Sequence, residues 1–76
     1  MSQWRGTYER ENAMTSFEFF GLTFFEDPKH GDEAPLMVKR GKRFFYTDLY
    51  GAPQDKQEAQ EARRHALTGE AVYQIA

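Results

Sequence analysis

Leu36–Tyr50, LMVKRGKRFFYTDLY, sets two aromatic-aliphatic arms on either side of a basic tip. Glycine reaches positive φ without a Cβ penalty, and two-residue hairpin turns need that conformation, so the turn is expected at Arg40–Gly41. That centre puts Lys39 opposite Lys42, Val38 opposite Arg43, Met37 opposite Phe44 and Leu36 opposite Phe45. On the return arm Phe44, Tyr46 and Tyr50 alternate with Phe45, Thr47 and Leu49, which predicts a strand running to about Tyr50.

Upstream, Ser16–Glu26, SFEFFGLTFFE, has the ring density and alternation of a strand. Read as one continuous strand, it places Phe20, Leu22 and Phe24 on a core face and Phe17, Phe19, Thr23 and Phe25 on the other. Gly21 in its middle reads as a bulge. Pro28, Gly31 and Pro35 make Asp27–Pro35 a surface loop. Residues 1–13 are polar, with Trp4 and Tyr8 as their only large rings, and are expected to form an N-terminal arm or edge strand.

Downstream, Gly51, Ala52 and Pro53 end the strand, and Asp55 stands three residues before Glu58, a capping-box spacing. A helix is predicted over Lys56–Thr68, with Gly69 as its stop. Acidic Glu58 and Glu61 lie early and basic Arg63, Arg64 and His65 late, as the helix dipole favours. Ala59, Ala62 and Ala66 form a narrow stripe that lets the axis approach a Phe-rich sheet closely. Glu70–Ala76 alternates again and predicts a last strand. The resulting class is α+β: residues 14–76 form one domain, a small antiparallel sheet of three to four strands in the order β-β-β-α-β, with the helix on one face.

A chain of 76 residues buries only roughly 60% of its unfolded surface. There is no cysteine to staple it, and 12 of its residues are Phe, Tyr or Trp, so large rings must supply the core. A cysteine-free chain with no apolar run of about 20 residues and no apolar leader is expected in the cytoplasm, away from membranes. The net charge of −2 gives no global attraction to nucleic acid, so any charge argument is local.

The local feature is the tip itself, Lys39, Arg40, Lys42 and Arg43, uninterrupted by acids. Such cations protect a sheet edge from aggregation, contact a carboxylate-bearing partner, or contact phosphates with rings on bases. The RNA-recognition strand motif fails here, because Arg40–Gly41 is followed by Lys42 and Arg43 rather than an aromatic. Asp27, His30, Asp32 and Glu33 share one loop, but their spacing fits neither a calcium loop nor a zinc site, so they read as a solvated acidic loop and no metal is expected. His65 sits one turn after Glu61, the spacing of a surface pair. No cysteine nucleophile and no glycine-rich phosphate loop occurs, and Ser16 has no base near it in sequence, so neither enzymatic activity nor a cofactor is expected.

One helix covers one sheet face, which leaves Phe17, Phe19 and Phe25 as expected anchors for another molecule. Together with the tip they point to a non-catalytic module that occupies a site on a larger protein or complex. Accessory and inhibitor proteins of mobile genetic elements have this size and simplicity. The alternatives are a nucleic-acid-binding module using the same tip and a structural homodimer joined through its ring faces.

Overall fold

The computed structural model describes residues 15–74. They form one antiparallel sheet, β1 (Thr15–Phe19), β2 (Leu22–Glu26), β3 (Met37–Arg40), β4 (Arg43–Tyr46) and β5 (Tyr73–Gln74), ordered β1-β2-β3-β4-β5. A single α-helix, α1 (Lys56–Leu67), connects β4 to β5. The class is the expected α+β, with five strands rather than three or four. The arm expected over residues 1–13 lies outside the described residues.

The extra strand comes from SFEFFGLTFFE, which is a hairpin and not one strand with a bulge. Phe20 and Gly21 both take positive φ, 54° and 81°, the pair of left-handed residues that a type I′ turn requires. Folding there sets Phe17 opposite Phe24 and Phe19 opposite Leu22. Directly opposed residues share a face. Phe17 and Phe19 therefore join Phe24 on the helix side, Phe25 stands on the other, and the expected three-ring face does not form. Phe20, expected in the core, is 48% exposed in the turn.

The second hairpin also turns one residue later than expected. The turn residues are Gly41 and Lys42, and the pairs are Arg40 with Arg43, Lys39 with Phe44, Val38 with Phe45 and Met37 with Tyr46. Gly41 has φ 65°, while Lys42 stays at negative φ, which is a type II′ turn with glycine first. The expected centre would have forced Arg40 into the left-handed region. Because each partner moves by two residues, every side chain keeps its expected face.

Strand β4 stops at Tyr46, short of Tyr50, because the pairing becomes irregular there: Thr47 N donates to Leu36 O, but Leu36 N donates to Leu49 O, both at 2.7 Å. Leu36 O also accepts from Thr47 Oγ1 at 2.7 Å, and Leu49 N donates to Thr47 Oγ1 at 3.1 Å. The chain then turns away toward α1. Asp55 caps this helix by accepting from Glu58 N at 2.7 Å, and the Glu58 carboxylate reaches back to accept from Gln54 N. Glu61 accepts from Gln57 Nε2 at 3.2 Å, in place of the expected pairing with His65.

Ala59, Ala62 and Ala66 are buried, and α1 packs over β3 and β4. With Ala59 and Ala66, Phe24, Val38 and Phe45 form the core, and Phe19, Leu22, Leu36, Leu67 and Ala71 pack around it. The opposite face is not bare. Met37 and Phe44 are buried there, Phe25 meets the Phe44 ring edge-on at 5.1 Å, and the Lys39 ammonium lies 5.7 Å from its centroid. Among the described residues, ring surface is left exposed on the helix side, where Phe17 is 38% exposed.

Candidate binding surface

In a meander of this order the β1–β2 and β3–β4 turns emerge at the same end of the sheet, and α1 finishes there. Lys39, Arg40, Lys42 and Arg43 are thereby joined by Arg63 and Arg64, and all are exposed. Arg40 borders two grooves, one shared with Gln60, Arg63 and Arg64 and the other with Arg43 and the chain entering β5. Gly21, Gly41, Lys39 and Arg63 line a third between the turns. The Arg40 guanidinium lies 5.5 Å from the Phe45 ring centroid, so the cation rests on a ring instead of an acid. Among the described residues no ion pair engages any of these cations.

Two choices at this end work against stability. Arg40 and Arg43 are directly opposite one another, and like charges in that position repel. Phe20 holds a large apolar ring in the left-handed region, where glycine or asparagine is the economical residue.

The acidic loop holds a different kind of site. Asp27, expected in solvent, is 1% exposed. Its Oδ1 accepts from Lys29 N at 2.8 Å, His30 N at 3.1 Å and the Tyr73 hydroxyl at 3.0 Å. Its Oδ2 accepts from the Tyr46 hydroxyl and lies 3.2 Å from His30 Nδ1. Burial pushes the carboxyl up, but the bonds from Tyr46, Lys29, His30 and Tyr73 together hold it well below the usual carboxylate range. Burial and then the bond to Asp27 push the Tyr46 hydroxyl up, and Tyr73 shifts the same way for the same reasons. This carboxylate ties the loop to β4 and β5. His30 is not among the residues that line the basic-end grooves or the pocket described next. No group of three or more His, Asp or Glu among the described residues is placed to hold a metal ion.

Beyond the edge of α1, at the opposite end from the turns, lies a pocket of about 210 Å³. Phe17, Phe19, Leu36 and Tyr50 wall it, and Glu26 and Asp32 stand at its rim. Partial burial and then the adjoining Asp32 carboxyl raise the Glu26 carboxyl above its usual range.

The residues singled out from sequence thus fall in three places. The tip cations stay together, Phe17 and Phe19 line the pocket, and Phe25 packs on Phe44 across the sheet. Sequence reading missed Phe20, Arg63 and Arg64 at the basic end and Tyr46 and Tyr73 around Asp27. The Phe-Gly dipeptide between two ring-rich arms was the one signal for the first. No helix among the described residues is long and apolar enough to cross a membrane. Compared with known proteins, the chain matches no family model, no curated protein and no solved structure.

Proposed function

We propose that this protein is a non-catalytic binding module that docks its basic end on an acidic surface of a larger cytoplasmic protein or complex. The observation that carries the reading is Phe20: an exposed ring, held in a costly backbone conformation, at the end where the cations converge. Locally unfavourable residues persist where something outside fold stability selects them, and an exposed aromatic amid arginines is the composition of an interface hot spot. In this role Arg40, Arg43, Arg63 and Arg64 pair with carboxylates, Lys39 and Lys42 steer the encounter, and Phe20 is the buried anchor. An accessory or inhibitor protein of a mobile genetic element, blocking a host protein by occupancy, fits this size.

The same ring amid cations supports a second reading, single-stranded nucleic acid with Phe20 stacked on a base. Salt separates the two, because nucleic-acid affinity falls log-linearly with salt at a slope set by the number of phosphate contacts. The test is capture from nuclease-treated native lysate on the immobilised chain, with Arg40→Glu/Lys42→Glu and Phe20→Asn as comparison baits. A protein retained by the parent and lost from both variants supports the reading. Retention that vanishes on nuclease treatment favours nucleic acid.

A further inference from the structure

The pocket walled by Phe17, Phe19, Leu36 and Tyr50 is unused by the reading above. At about 210 Å³ it is smaller than the roughly 300–1,000 Å³ of a small-molecule site, which scales it to one side chain. Phe17, Phe19 and Tyr50 give it aromatic walls, and two carboxyls, Glu26 and Asp32, line the same pocket. Ring faces attract cations, and two adjoining carboxylates repel until a positive charge stands between them. The matching group is an ammonium or guanidinium on an aliphatic stem, a lysine or arginine side chain.

The chain itself presents one. Lys42 is the second turn residue of the β3–β4 hairpin, exposed at a narrow apex with only cations and a glycine beside it. Apex and pocket lie at opposite ends of the sheet, so one chain cannot fill its own pocket, but a neighbour can. We propose that the Phe17–Tyr50 pocket, with Glu26 and Asp32 at its rim, receives Lys42 of a second copy, joining molecules head to tail. Such a contact is heterologous and open-ended, so its stoichiometry grows with concentration. It occupies the surface assigned above to the partner, and self-association and partner docking then exclude one another.

Sedimentation of the full chain at several concentrations and salt strengths tests this. At low salt the mean mass should rise with concentration above the 8.9 kDa of one chain and fall back to it at high salt, where the ion contacts are screened. Lys42→Glu removes the tip and Asp32→Lys the pocket rim, both at exposed positions, and each variant alone should stay at one chain mass. Mixed, the two variants retain one working tip and one working pocket between them, so they should form a dimer and nothing larger. Tyr50→Ser, at a residue 68% exposed, should reproduce the pocket loss without changing charge, and Glu61→Lys on the outer side of α1 should leave association intact. A parent chain that stays monomeric at millimolar concentration overturns the proposal. So does a mixture that stays monomeric, or association that survives both single variants. Failure of this proposal leaves capture of a different protein by the tip standing, because that capture does not use the pocket.

Discussion

Phe20 departs furthest from what its own backbone favours. A left-handed L-residue costs roughly 1–2 kcal/mol, and asparagine before glycine is the preferred type I′ pair. Phe20→Asn should therefore raise stability by about 1 kcal/mol, a gain of about 4–8 °C in melting temperature for a domain this small. A lower melting temperature would mean that the ring contributes to the fold. Asp27 is the opposite case, a residue whose loss the fold cannot absorb. Asp27→Asn removes charge from an acceptor of several buried bonds and should cost about 2–3 kcal/mol in urea unfolding at neutral pH. Its carboxyl is depressed in the fold, so its contribution is whole above about pH 4 and is lost as pH falls toward the depressed value. Tyr46 and Tyr73 are raised, so theirs is whole below about pH 10 and is lost as pH rises beyond it. Urea unfolding across pH should show a plateau between these limits, and the acid limb should flatten in Asp27→Asn.

At the scale of elements, what was legible in sequence depended on how local the signal is. Helix α1 was readable to within a residue because its determinants, the Asp55 cap and the alanine stripe, lie inside it. Both hairpins were harder. A two-residue turn between ring-rich arms preserves alternation on each side, so SFEFFGLTFFE looks the same unfolded into one strand. The Arg40–Arg43 turn depended on whether glycine comes first or second, which the φ of a single residue decides. The tip cations were visible as an unbroken run, but their union with Arg63 and Arg64 required the topology. Asp27 was unreadable because nothing in a Pro- and Gly-punctuated loop announces two distant tyrosines. The corrected faces carry their own test: Phe24→Ala should cost about 3–5 kcal/mol and Phe20→Ala far less, compared by thermal unfolding. Tyr73→Phe should cost about 1–2 kcal/mol and hasten hydrogen exchange at Val72 N, which donates to Phe44 O beside β5. Unchanged exchange there would mean that Asp27 does not hold the last strand.

Over the whole molecule, a net charge of −2 conceals two ends of opposite character. Among the described residues, cations gather where both hairpin turns and the end of α1 meet, with Glu70 beside them, and carboxyls gather around the pocket and the β2–β3 loop. Net charge governs solubility, but local fields govern which surfaces meet. The most direct measurement compares two immobilised baits at low salt after nuclease digestion, the parent chain and Arg40→Glu/Lys42→Glu. Relieving the Arg40–Arg43 repulsion, the variant should melt no lower than the parent, and mass spectrometry should find a protein on the parent bait that is missing from it. The same proteins on both baits would contradict a docking role for the basic end.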